Sequence, residues 1–274
     1  MTPILKTLAL VFFLTGLTIA FNYREFQEKS EIISDNSVDV STKSTLKEED
    51  NIEDTNQISN NVSVKKDTPL ASNTLASADL IKHNVPFTAQ APLGEWNDAR
   101  EQDGCEEASA IMAINWAKGR SSPSLQESKK AILEISYWQE KNYGVFEDTS
   151  VDDTFNRILK EYFNFNDAHI VRDVSVDDII AELEKGNIMI VPVNGQVLKN
   201  NHYTPPGPLR HMLVLIGYDY DTKEFITNDP GTRFGGSYRY SEENFFESID
   251  DYQTGKHLPR LVHSKNVIVV ERAI

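Results

Sequence analysis

Cys105, the single cysteine of this 274-residue chain, stands where a thiol could act as a nucleophile. It follows Gly104 and precedes an apolar-periodic stretch, which predicts a helix over residues 104–118. Backbone N–H groups at a helix start stabilise a thiolate, and the glycine leaves the sulfur open to approach. The adjacent Glu106 and Glu107 oppose this, because nearby carboxylates raise the pKa of a thiol. A lone cysteine is more often a small core residue, so the local sequence leaves both interpretations open.

A nucleophilic thiol needs a base, and among the six histidines His211 has a candidate partner. It begins the apolar run 211–218, which reaches a turn-forming cluster at 219–221 and returns toward Asp229. A three-residue loop would set Asp229 directly across from His211, with Cβ atoms about 5 Å apart. A four-residue loop would shift that register by one. Each residue alone fits a simpler interpretation, a strand-end histidine and a turn-forming aspartate, but together with a thiol at a helix start they suggest a nucleophile with an oriented base.

Four short strings carry a resemblance to a known family. The sequence resembles the bacteriocin-leader-peptidase-like (peptidase C39-like) branch of the papain-fold cysteine peptidases over residues 81–274. The matching strings are Val85-Pro86-Phe87-Thr88-Ala89-Gln90, Gly104-Cys105-Glu106, His211 with Gly217-Tyr218-Asp219, and Asn228-Asp229-Pro230-Gly231. The resemblance implies that Cys105 is the nucleophile, that His211 is the general base and that Asp229 orients the imidazole. It implies no cofactor.

The same resemblance implies a glutamine that donates to the oxyanion. Gln90 stands in the matching string but 15 residues before Cys105, a longer gap than the family generally shows. We predict Gln90, because the insert 91–100 can loop out without moving the strand-like residues 85–90. Gln102, three residues before the cysteine, is the alternative, and its simpler interpretation is a turn residue at the helix start.

The elements that must position these residues indicate an α+β fold, with N-terminal helices packed on an antiparallel sheet. Helices are predicted at 104–118 and 125–138, and Ser150 and Ser175 are expected to cap two more. The acid pairs that follow these serines are interpreted as first-turn caps rather than metal ligands. The predicted strands are 169–172, 188–193, 211–218, 224–228, 237–240 and 266–271. The loop 201–208 is a candidate rim for a substrate groove.

Three regions divide the chain. Residues 1–21 carry an apolar run typical of a signal peptide or an uncleaved signal anchor. Residues 22–80 hold 12 acidic and 6 basic residues without apolar periodicity, which predicts a disordered linker. Residues 81–274 form the predicted catalytic domain. The protein is therefore expected to be exported and either secreted or anchored at the cell surface.

Composition excludes several classes of function. The net charge of −15 argues against a nucleic-acid binder and against attachment to anionic lipid, so membrane contact is expected only through the N-terminal segment. One cysteine excludes a disulfide framework and a multi-thiolate zinc site, and no calcium loop is recognised.

The sequence predicts a monomeric cysteine peptidase acting on a peptide or protein. The alternatives are a catalytically inactive binding module and a cell-wall peptide amidase or endopeptidase on the same fold.

Overall fold

A computed structural model describes residues 79–259 and 263–272. The predicted signal peptide or anchor at 1–21 and all but the last two residues of the predicted linker lie outside the described residues, and both stay predictions. Among the described helices, none combines the length and the apolar character that crossing a membrane requires.

The described residues form a group of helices near the start, after β1, followed by strands with three short helices between them. The helices are α1 (Ala99–Gln102), α2 (Cys105–Ala117), α3 (Leu125–Tyr143), α4 (Val151–Asp153), α5 (Val176–Glu184), α6 (Gly195–Leu198) and α7 (Glu242–Ser248), and a π-helix, Thr154–Tyr162, continues α4. The strands are β1 (Leu80–Lys82), β2 (Ala168–Val171), β3 (Ile188–Val193), β4 (His211–Asp219), β5 (Glu224–Asn228), β6 (Tyr238–Ser241) and β7 (Val267–Val270). All six predicted strands and both predicted long helices are confirmed, with ends that move by a few residues.

The strands pair in a single antiparallel sheet. Six of them follow the order β2-β7-β3-β4-β5-β6, and β1 pairs with the far end of β4. The α+β fold class, with helices packed on an antiparallel sheet, is confirmed.

Alternate residues of the central strands face two separate apolar layers, because side chains of a strand point to opposite faces in turn. One layer packs the sheet against α2, α3 and the π-helix, and its strand residues include Ile188, Ile190, Met212, Val214, Ile216, Ile268 and Val270. The other layer lies against α5 and α7, and its strand residues include Met189, Val191, Val193, Leu213, Leu215, Val267 and Val269. The sheet is therefore covered on both faces, which holds β4 rigidly between two layers.

The helix starts form as predicted from their serines. The Ser150 hydroxyl accepts the Asp153 N–H at 3.2 Å. Ser175 and Asp178 form a reciprocal capping box. These contacts satisfy N–H groups that a helix start leaves without partners.

The β4–β5 hairpin forms, and of the two loop lengths considered from the sequence it has the four-residue one. Asp219 pairs with Glu224, so four residues form the turn, and a bulge between Leu215 and Gly217 shifts the register. The extra residue of a bulge has no clear signal in the sequence.

The segment before the first helix also differs from its prediction. Residues 85–90 belong to no strand, and the chain between β1 and α1 is irregular. The backbone of Gln90 is instead held by a single hydrogen bond from its N–H to the Pro230 carbonyl, 2.9 Å.

Candidate active site

A cavity of about 1170 Å³ opens beside the start of α2 and the start of β4. Cys105, His211, Gln90 and Gln102 all line it. The loop 201–208 contributes His202, Tyr203, Thr204 and Pro208, so the prediction that this loop rims a groove is confirmed. Asp229 is fully buried behind the cavity wall.

Cys105 is the first residue of α2, directly after the N-cap residue Gly104. A Cβ on that glycine would lie 2.5 Å from the Arg100 carbonyl oxygen, so the close turn into the helix requires glycine. The helix is fixed to the sheet by Ser109, whose hydroxyl donates to the Met212 carbonyl at 3.1 Å. This contact brings the first turns of α2 against the residue that follows His211.

Burial begins at the first residue of α2. Cys105, Glu106 and Glu107 are all buried, with exposed fractions of 6%, 1% and 0%. The two acids are accommodated by partners distant in sequence. Glu106 accepts the Tyr252 hydroxyl at 2.7 Å. Glu107 accepts Gln139 Nε2 at 2.7 Å.

The thiol of Cys105 is held in its protonated form. Burial raises its pKa well above the usual range, and the Glu106 carboxylate raises it further. The sulfur donates a hydrogen bond to Glu106 Oε2 at 3.1 Å. A hydrogen bond with the Met212 backbone acts in the opposite direction and lowers the thiol pKa. Burial also raises the pKa of Glu106, to about 7.

His211 and Asp229 form a buried pair. His211 Nε2 lies 2.8 Å from Asp229 Oδ1, and both side chains are almost completely buried. Because an ionised carboxylate only accepts hydrogen bonds, the neutral imidazole carries its hydrogen on Nε2 and leaves the Nδ1 lone pair free. The ring is therefore oriented as a base.

The pair forms although its predicted register is wrong. Val214 is opposite Asn228, and continuing that register would set Gly231 across from His211. Asp229 reaches the imidazole because the chain turns after β5, and its Oδ1 accepts the Gly231 N–H at 3.0 Å.

Three residues that the sequence did not reveal surround the Asp229 carboxylate. Its Oδ2 accepts hydrogen bonds from Asn200 Nδ2 at 3.0 Å and from the hydroxyls of Tyr203 and Tyr240, each at 2.6 Å. Burial alone would raise the pKa of Asp229, but its electrostatic interaction with His211 and these hydrogen bonds lower it to about 2. The carboxylate is therefore ionised at neutral pH.

Gln90 lies close to the helix start, as a candidate oxyanion donor must. Its Nε2 donates to two carbonyl oxygens, that of Glu101 at 3.1 Å and that of Gln102 at 2.6 Å. Its Oε1 is buried without a hydrogen-bond partner. The Gln102 side chain is exposed in the same cavity. The choice between the two glutamines stays a prediction.

One cluster in the described part of the chain could hold a metal ion. Asp103, Asp148 and His257 each offer a ligand atom, and these atoms lie within 4.8 Å of one another. Arg210 Nε lies 3.8 Å from Asp148 Oδ2, and His257 Nδ1 is 2.9 Å from the same oxygen. Asp148 thus already has a cationic neighbour, which disfavours a second cation there.

Comparison with known proteins gives a family and a set of similar solved structures. The model of the Peptidase_C39 like family matches residues 82–257. A candidate C39-like peptidase from Bacillus anthracis has 16% identity and a TM-score of 0.46, and the alignment covers 71% of this chain and 99% of that one. Xylellain, a cysteine protease from Xylella fastidiosa, has 14% identity and a TM-score of 0.42, with 76% and 91% covered. No curated protein matches the sequence.

Proposed function

The chain belongs to the Peptidase_C39 like family, and on this basis we propose that it is an exported cysteine peptidase that hydrolyses peptide bonds with Cys105, His211 and Asp229. The observation that carries the proposal is the buried His211–Asp229 pair, 2.8 Å apart, whose imidazole lines the same cavity as the only thiol of the chain. A base oriented by a carboxylate beside a thiol is the arrangement that nucleophilic acyl transfer requires.

In this mechanism the Cys105 sulfur attacks the substrate carbonyl after the thiol has lost its proton. His211 Nδ1 is the free imidazole nitrogen that can accept a proton and later give one to the leaving amine. The oxyanion would be stabilised by the Cys105 N–H at the helix start and by the amide of Gln102, or by that of Gln90 after one of its two hydrogen bonds to a backbone carbonyl is broken. Water then hydrolyses the thioester and restores the thiol.

The proposal includes export and attachment. Its support is the apolar run within residues 1–21 and the polar composition of residues 22–80, which together suit a domain held at the cell surface or secreted. We propose a monomer acting on a peptide or protein. Cross-bridge peptides of the cell wall are a second possible substrate of the same site.

A catalytically inactive binding module is the second candidate. The observation that favours it is the state of the thiol, which is buried, donates to Glu106 and has a raised pKa. Such a thiol is a poor nucleophile unless its proton is removed.

Hydrolysis assays on the full chain distinguish the candidates. We expect cleavage of denatured protein or of a peptide library, with an acyl-enzyme detected by mass spectrometry after rapid acid quench. Cell-wall cross-bridge peptides belong in the same panel, and cleavage of these alone would assign the amidase or endopeptidase activity. If no peptide in the panel is cleaved but peptides bind the cavity, the protein is a binding module.

A Gly231→Ala variant tests whether peptide cleavage requires the observed positions of the His211 and Asp229 side chains. A Cβ at this position would lie 2.9 Å from His211 Cε1 and 2.9 Å from Tyr203 Cε1. Both rings are tied to Asp229 by hydrogen bonds, so neither can move without loss of a contact. Because displacements near 1 Å disrupt catalytic alignment, we expect kcat/KM for peptide cleavage to fall about 10²-fold.

Gly236→Ala is the matched control. The three heavy atoms nearest to a Cβ at that position all belong to Phe87, at 3.4 Å or more, which is an ordinary contact. Its activity should stay within about twofold of wild type, because the change displaces no group of the pair. Equal activity of the two alanine variants would contradict the alignment required of His211.

A further inference from the structure

The carboxylate of Glu106 touches the sulfur of Cys105, and the triad gives it no role. Its Oε2 accepts the hydrogen bond of the thiol at 3.1 Å. The described residues place this hydrogen bond on Glu106 rather than on His211. Glu106 also lines the active-site cavity, although its side chain is only 1% exposed.

The groups that face Glu106 act in opposite directions on its ionisation. The Tyr252 hydroxyl donates to Oε1 at 2.7 Å and favours the carboxylate anion. Burial and the charge of Asp148 act against the anion, and the pKa of Glu106 is raised to about 7. The neighbouring acid Glu107 is buried on the same helix turn. In the described part of the chain no lysine or arginine forms an ion pair with Glu106, so no cation holds it ionised.

Two acids that lie in hydrogen-bond contact in a buried site do not titrate independently. A dianion of carboxylate and thiolate at this distance would place two like charges together in a medium of low polarity. One negative charge, by contrast, is stabilised on either group by the remaining proton. The contact therefore favours a state in which the pair holds one charge and one proton.

We propose that Glu106 is a further catalytic residue of this site, which shares one proton with Cys105, so that the thiolate forms with that proton on Glu106 Oε2. In this step the S–H bond of Cys105 breaks and an O–H bond forms at Oε2. The negative charge passes from the carboxylate to the sulfur, and no other reactant takes part. The inference rests on the proposed role of Cys105 as the nucleophile.

A shared proton gives a distinctive pH dependence of thiol labelling. Below about pH 7 the rate of iodoacetamide labelling should rise tenfold per pH unit, as the pair loses its first proton. Above pH 7 the pair holds one proton, and the fraction of thiolate depends only on how that proton is distributed between the sulfur and Oε2. The labelling rate should therefore stay constant over a range of pH, which gives a shoulder in the profile. The rate should rise again only when the second proton is lost at much higher pH. The single cysteine makes the labelling site unambiguous.

Glu106→Gln is expected to remove this shoulder. Glutamine holds no titrating proton, so the labelling rate should continue to rise through pH 7 up to the pKa of the thiol itself. At pH 9 the variant should be labelled about 10- to 100-fold faster than wild type, a tenfold difference for each pH unit above the shoulder.

Glu107→Gln is the matched control on the same helix turn. Glu107 has its own partners, Ser136 and Gln139, and burial raises its pKa well above the usual range. Burial therefore favours the protonated form of Glu107, which glutamine resembles. The shoulder should persist in this variant.

Tyr252→Phe gives a second measurement if Glu106→Gln does not fold. Loss of the hydroxyl destabilises the Glu106 anion, so the shoulder should move to higher pH. The inference would be overturned by a wild-type profile without a shoulder, or by the same shoulder in Glu106→Gln. If the glutamine variant does not fold, an unchanged shoulder in Tyr252→Phe would overturn it. Labelling needs no turnover, so a protein that labels as expected but cleaves no peptide would uphold the shared proton and contradict only the proposed peptidase function.

Discussion

A Cys105→Ser variant should lose peptide hydrolysis by about 10⁴-fold or more, because the proposed reaction passes through a thioester on this sulfur. A serine hydroxyl fits the same volume and can still donate to Glu106, so the fold should be retained. A hydroxyl is, however, a far weaker acid than a thiol, so neither His211 nor Glu106 removes its proton as readily as it removes that of the thiol. Initial rates with the best substrate of the panel, together with thermal unfolding of both proteins, measure the effect.

Thiol labelling provides a control for the Cys105→Ser variant. Since Cys105 is the only cysteine, iodoacetamide should label wild type once and the serine variant not at all. Hydrolysis within about tenfold of wild type in the serine variant would place the nucleophile elsewhere and contradict the proposed mechanism.

Asp229→Asn is expected to lower kcat/KM by about 10³- to 10⁴-fold, because the imidazole loses the acceptor that fixes its tautomer. The amide also disturbs the other contacts of the side chain. Oδ2 accepts from Asn200, Tyr203 and Tyr240, and an amide NH₂ in that position would face three donors. Turning the amide sets the NH₂ toward His211 instead, so either orientation leaves a donor facing a donor.

The same variant should change how stability depends on pH. The pKa of Asp229 is lowered from 3.8 to about 2 in the folded protein. A lowered carboxyl pKa stabilises the fold above the pKa of the unfolded chain, and this contribution is lost as pH falls from about 4 toward 2. Its size is about 2 to 3 kcal/mol, since one pKa unit corresponds to about 1.4 kcal/mol. The asparagine variant should lack this dependence in urea unfolding between pH 5 and 2.

Asp221→Asn provides the comparison, since Asp221 is exposed in the turn of the same hairpin. It should retain both the activity and the acid dependence of wild type. If Asp229→Asn and Asp221→Asn behave alike in peptide cleavage, Asp229 has no role in orienting His211.

The sequence identified the candidate residues better than it identified their surroundings. Cys105, His211 and Asp229 were recognised by residue type and by local strings. The donors Asn200, Tyr203 and Tyr240 were missed, because they come from a loop and from a separate strand, 29, 26 and 11 residues from Asp229. Polar residues in loops give no pattern that would single out these three.

The pairing register of β4 and β5 was also not predictable from the local sequence. Direct pairing of His211 with Asp229 requires a three-residue loop, and the four-residue turn that follows Asp219, together with the bulge near Leu215, gives a different register. The contact survives because the chain turns at Asp229, where Gly231 binds the carboxylate. Runs rich in Val, Ile and aromatic residues predicted the strands well, since both faces of the sheet meet an apolar layer. Burial of Glu106 was missed, because its partner Tyr252 lies 146 residues away.

The distance along the chain between the parts of the site has a consequence for synthesis. Ser109 holds α2 to Met212 across 103 residues, and Asp229 is completed by Tyr240 on β6. Contacts of such separation form late in folding, after long loops have closed. A ribosome must therefore release the chain through β6 before the base beside the thiol is fully oriented. The nascent chain should therefore not cleave nearby proteins until nearly the whole sheet has formed.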